Sequence, residues 1–135
     1  MIQRIQTLWL LLSSACSVAV ILLPFYAGNS AGQLYETLTG QSYFHLLLIT
    51  VAVGVSSLIS VFLYKKRKIQ MQIASIALLL QLLNIFFFIQ KANEFVDGNY
   101  TISSLFSFLI PLFLILAILG IRKDEQLIKN MDRFR

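Results

Sequence analysis

The feature that most restricts what this chain can become is where its charges are missing. Asp, Glu, Lys and Arg are absent from residues 5–35, 37–64, 69–90 and 98–121, gaps of 31, 28, 22 and 24 residues in a chain of 135. A bilayer hydrocarbon core about 30 Å thick is crossed by about 20 residues at a helical rise of about 1.5 Å each, so every gap holds one span and none holds two. The gaps show no alternation of polar and apolar positions, which excludes barrel strands and leaves helices, whose backbone polar groups are satisfied within the segment. The expectation is an all-α integral membrane protein with spans at about 5–26, 43–64, 69–90 and 101–121 and a tail at 122–135. A content of 58% hydrophobic and 13% charged residues agrees, being too apolar for a soluble enzyme and too poor in charge for disorder.

Orientation follows from the bases. Arg4, Lys65, Lys66, Arg67, Lys68, Arg122, Lys123, Lys129, Arg133 and Arg135 fall on one side, and Lys91 alone falls on the other. The positive-inside rule puts the first side, with both termini, in the cytoplasm. The cytoplasmic segments then carry +7 and the outer ones, with Glu36, Glu94 and Asp97, carry −2, so the net charge of +5 reflects topology and not nucleic-acid binding. The short basic turn makes the second and third spans antiparallel neighbours, and the connections at 27–42 and 91–100 allow an up-down-up-down bundle. Such a bundle is filled by its own side chains, and the 27–42 segment would supply a short lid or docking helix. Lys65, Lys66, Arg67 and Lys68 lack an aromatic platform, and each base near anionic headgroups contributes about 1 kcal/mol, so lipid is the expected contact.

Chemistry-bearing residues are few. One cysteine, Cys16, makes no intrachain disulfide, and one histidine, His45, cannot assemble a metal or haem site alone, so no cofactor is expected. An intramembrane hydrolase using His45 fails on distance, since Ser56 lies 11 residues along the same helix, about 16 Å away. The first span resembles a secretory leader, and Leu12 to Cys16 a lipoprotein site. Its apolar stretch, however, is longer than a leader's about 7 to 15 residues and continues past Cys16, so an uncleaved span is expected.

Within the spans, small and hydroxyl residues recur at every fourth position: Ala52, Ser56 and Ser60; Ser13 and Ser17; Ser103 and Ser107. They are expected to face the bundle interior and let backbones approach. Pro111 predicts a kink one turn upstream, near Ser107. Ala74, Ala77, Gln81 and Asn84 share one face of the third span, and amides facing lipid would go unsatisfied at several kcal/mol. Gln81 and Asn84, with Ser56 and Ser60, therefore form an intramembrane polar site or helix contact: structural glue ahead of a ligand site. The Phe86-Phe87-Phe88 run reads as lipid-facing bulk. In the tail, Leu127, Met131 and Phe134 at offsets 0, 4 and 7 make an amphipathic helix, with Glu125 and Lys129 spaced for an ion pair. That helix extends the fourth span or bends onto the membrane, where its apolar stripe meets lipid or a partner.

The opening Met-Ile-Gln-Arg-Ile-Gln-Thr and the closing segment from Ile121 to Arg135 resemble an uncharacterised family, the small four-span inner-membrane proteins of the Bacteroidota classified as a domain of unknown function. The resemblance spans the whole chain and is most specific at its two ends. It implies location in a bacterial inner membrane and brings no activity and no site residues. The reading is a non-enzymatic accessory or scaffold subunit of an inner-membrane complex, in contact with the bilayer and with a membrane-protein partner or a second copy. The alternative is a binder or transporter of a lipid-like or neutral small solute.

Overall fold

In a computed structural model, which describes residues 3–29, 32 and 34–135, the four charge-free segments form four helices: α1 (Gln3–Leu22), α2 (Phe44–Phe62), α3 (Arg67–Ala92) and α4 (Ser104–Arg133). Met1 and Ile2 of the opening motif, and Ser30, Ala31 and Gln33 of the 27–42 connection, lie outside the described residues. The helices pack in a ring, α1 against α2, α2 against α3, α3 against α4 and α4 back against α1. Helices α1 and α4 run antiparallel: Gln6 meets Asp124 at one end, and Phe25, just past α1, meets Phe108 at the other.

The distribution of polarity is the reverse of a soluble bundle. Ser13, Ser17, Thr50, Ser57, Ser60, Gln81, Asn84 and Ser107 are buried, while Leu8, Val18, Leu48, Leu79, Leu82, Leu83, Phe86 and Leu112 are exposed. An apolar belt of that extent would not stay dispersed in water, whereas in lipid it costs nothing to expose.

The two connections opposite the basic turn correct the all-α expectation. Instead of a lid or docking helix they form a three-stranded antiparallel sheet of order β2-β1-β3, from β1 (Pro24–Asn29), β2 (Tyr35–Thr39) and β3 (Asp97–Tyr100). The fold is thus mostly α-helical with a β cap. Pro24 explains the switch after α1: it has no N–H to continue the helix and disfavours helical geometry at Leu23, yet is tolerated as the first residue of a strand. In the central strand, Tyr26 lies opposite Leu38 and Tyr100, and Asn29 opposite Tyr35 and Asp97. Gly28 faces Gly98 across the β1–β3 pair, where a Cβ on Gly28 would sit 2.2 Å from the Asp97 carbonyl oxygen and one on Gly98 2.6 Å from that of Ala27. Only glycine fits at either position. Pairing gives these exposed connections partners for their backbone N–H and C=O groups.

Aromatic side chains fill the space between sheet and helices. Phe25 stacks on Phe88 at 4.6 Å between centroids and meets Tyr100 edge-on at 5.7 Å, and Tyr26 packs on Phe95 and Tyr100. Phe88 is completely buried, which corrects the reading of Phe86-Phe87-Phe88 as lipid-facing: only Phe86 is exposed, and Phe87 packs under His45. Residue 88 falls on the Gln81 face, seven positions on, so it turns inward with it. At the same end Lys91 bonds Glu94 at 2.7 Å and lies over the Tyr43 ring, tying the close of α3 to the start of α2.

Candidate functional site

The face of α3 that packs inward carries Gln70, Ala74, Ala77, Gln81, Asn84, Phe88 and Ala92, and its alanines let α2 and α4 come close enough for short polar side chains to reach across. Both mid-span amides are fully buried and both donate to a neighbouring helix. Nε2 of Gln81 donates to the backbone carbonyl of Ser107 on α4 at 3.0 Å. That carbonyl is the one Pro111 would have bonded had it carried an N–H, so Gln81 supplies from another helix the donor that proline removes. Nδ2 of Asn84 donates to Oγ1 of Thr50 on α2 at 2.8 Å, and Thr50 passes its own proton to the Leu46 carbonyl at 2.7 Å. Oε1 of Gln81, Oδ1 of Asn84 and Oγ of Ser107 are buried without a hydrogen-bond partner among the described residues.

The serines fall differently from the four-residue stripe. On α2 the buried positions are Leu46, Thr50, Val53, Ser57 and Ser60, so Ser60 is on the interior face and Ser56 sits half-buried beside it, bonding the Val53 carbonyl. Ser57 bonds Val53 as well, which leaves Ser13 of α1 to donate across the 3.1 Å gap between their hydroxyls. Ser60 donates to the Ser56 carbonyl and lies ten residues, about 15 Å, from Thr50, so Ser56 and Ser60 do not join Gln81 and Asn84 in one site. On α1 Ser13 and Ser17 are buried; on α4 Ser104 and Ser107 are, with Ser103 half-exposed. Thr50 and Ser57 were the residues missed. A lipid-facing groove of about 290 Å³ runs between α1 and α2, floored by Gly54 and walled by Val18, Ile21, Val55 and Leu58.

At the end away from the sheet, Gln6 of α1 donates from its amide to the Asp124 carboxylate, and both side chains are buried. Gly120, one turn earlier, makes room, since a Cβ there would lie 2.8 Å from Cγ of Gln6. Arg67, half-buried at the start of α3, donates from Nη1 to the Asp124 carbonyl at 3.3 Å, while Lys65, Lys66 and Lys68 are exposed. Three helices are thereby pinned at Asp124.

Beyond that point α4 continues alone. It is one helix of 30 residues, about 45 Å of helical rise, and the tail continues it, the Glu125–Lys129 ion pair closing at 3.2 Å. Its buried seam, Ile110, Leu114, Ala117, Ile121 and Asp124, steps by four and three residues, and the same steps lead to Ile128 and Met131. Those two are 44% and 70% exposed, and Leu127 and Phe134 alongside are 43% and 92% exposed.

Four helices of membrane length, hydroxyls and amides turned inward and aliphatic side chains turned out define a multi-pass membrane protein. Within that class the chain belongs to the family described as domain of unknown function DUF4293, whose model matches residues 2–134. Neither the curated proteins nor the solved structures include a match. Among the described residues no group of three or more His, Cys, Asp or Glu is placed to hold a metal ion.

Proposed function

We propose that the protein is a non-enzymatic accessory subunit of a bacterial inner-membrane complex, threaded up-down-up-down with both termini in the cytoplasm, and that the free end of α4 is its docking element. The observation that carries this is the seam of α4 running on past Gln6 of α1 and Arg67 of α3 with Ile128, Met131 and Phe134 uncovered. A helix that continues past its bundle partners with an apolar stripe uncovered has a face on which another helix can pack. The surrounding Lys65, Lys66, Lys68, Arg122 and Lys123 favour an acidic partner helix.

Purification in native lipid, followed by mass measurement of the intact assembly, tests the proposal. The expected result is a stoichiometric protein companion that is lost in a Met131→Glu, Phe134→Glu double variant whose melting is unchanged. A companion retained by that variant refutes the docking role. A retained small molecule in place of a protein, lost in Gln81→Leu, supports the binder of a neutral solute instead. Reporter fusions at the two ends should report the same, cytoplasmic, side.

A further inference from the structure

Three buried polar atoms, Oε1 of Gln81, Oδ1 of Asn84 and Oγ of Ser107, have no hydrogen-bond partner among the described residues. Gln81 and Asn84 stand one turn apart on α3, about 4.5 Å along its axis, and the Gln81 amide is bonded to Ser107 itself, so Oε1 of Gln81 and Oγ of Ser107 share a neighbourhood. All three side chains have 0% exposure, and each unsatisfied polar atom in an apolar interior costs about 1–3 kcal/mol. Two of the three atoms are amide oxygens, which only accept. Whatever satisfies them must donate.

A cation is the first candidate and fails on charge. No acid lies in this layer: the buried Asp124 is 17 residues from Ser107 along α4, about 25 Å, and an unpaired charge in the interior is far costlier than the orphaned oxygens it would relieve. A protonated amine fails for the same reason. A bulky neutral donor would need an opening, and although the groove between α1 and α2 reaches Thr50, Gln81, Asn84 and Ser107 are closed from the surface and do not line it. The remaining class is a small neutral molecule with two donors and a capacity to accept, and buried water ordinarily makes two to four such bonds.

We infer that the layer between α2, α3 and α4 is an internal hydration site, in which water donates to Oε1 of Gln81 and Oδ1 of Asn84 and pairs with Oγ of Ser107. The site lies where Pro111 interrupts the hydrogen-bond ladder of α4, and water inserted into an interrupted ladder is a recognised way for a helix to keep its freed groups satisfied. It is independent of the docking role of the projecting helix.

The test is solid-state NMR on the full chain in lipid bilayers, with polarisation transferred from water protons to the side-chain amides of Gln81 and Asn84. The site predicts build-up severalfold faster at both amides than at the backbone of Leu114 and Ala117, which are equally buried among apolar groups. Gln81→Leu should slow the transfer to Asn84 and Ser107→Ala the transfer to Gln81, and the second variant serves should the first fail to fold. Build-up no faster than at Leu114 overturns the inference, as does an Asn84 signal indifferent to both substitutions. Shifts at either amide that follow sodium or potassium concentration overturn it in favour of an ion.

Discussion

Removing the Gln81 amide should destabilise the bundle only while Pro111 is present. In Gln81→Leu the Ser107 carbonyl loses its donor at 3.0 Å and has no N–H four residues on to replace it. An unsatisfied buried carbonyl costs about 1–3 kcal/mol, and interhelical bonds measured in a membrane average about 0.6 kcal/mol, so a loss of about 1–2 kcal/mol is expected. In a Pro111→Ala background the alanine N–H bonds Ser107 within α4, and Gln81→Leu then removes a redundant donor. Its cost there should fall to about zero, giving a coupling of about 1–2 kcal/mol in the double-mutant cycle. Equilibrium unfolding in mixed micelles measures all four proteins. The single tryptophan, Trp9, reports on it because its ring stacks on Phe113 of α4 at 5.7 Å between centroids. Additivity within about 0.5 kcal/mol would refute the compensation between proline and amide.

Three further substitutions test other contacts, the first two by the same assay. Gly120→Val should push α1 from α4, because its Cβ starts 2.8 Å from Cγ of Gln6, at a cost of about 1–3 kcal/mol and with loss of the Gln6–Asp124 bond. Phe88→Ala should cost about 3–5 kcal/mol, since it empties a fully buried position stacked on Phe25; a cost below about 1 kcal/mol would return Phe88 to the lipid face. Gly98→Val should abolish β1–β3 pairing, seen as fast amide hydrogen exchange at Thr101, whose N–H donates to the Phe25 carbonyl, while amides of α2 stay protected.

The helices were legible because charge in a bilayer is expensive wherever it falls, so gaps in charge map spans without regard to packing. The sheet was not, because its strands have almost no signature of their own. Asp97-Gly98-Asn99-Tyr100 is composed largely of poor strand formers, and its register is set by Gly28, seventy residues away. The paired Gly-Asn steps at 28–29 and 98–99 were the one available hint. The misplacement of Ser56 has a geometric cause. A four-residue step turns 400° on a helix of 3.6 residues per turn, so a stripe drawn from Ala52 drifts off the face by about 40° at each step. The observed three-four-three spacing through Thr50, Val53, Ser57 and Ser60 holds its direction. Gln81 and Asn84 were identifiable from the cost of an amide in lipid, but their acceptors were not. Ser107 already stood out as lying one turn before Pro111, and its pairing with Gln81 follows only on asking which neighbour at that depth has a proton to give.

Strand order has a consequence for how the chain tolerates being cut. Strand β1 follows the first helix and β3 precedes the last, so the β1–β3 ladder joins the two halves at one extremity, and the Gln6–Asp124 bond joins them at the other. The loop between α2 and α3 is spanned by clasps made elsewhere. Expressed as two separate pieces divided at that loop, the polypeptide is expected to reassemble through those two contacts, and recovery of no bundle from the co-expressed pieces would refute it.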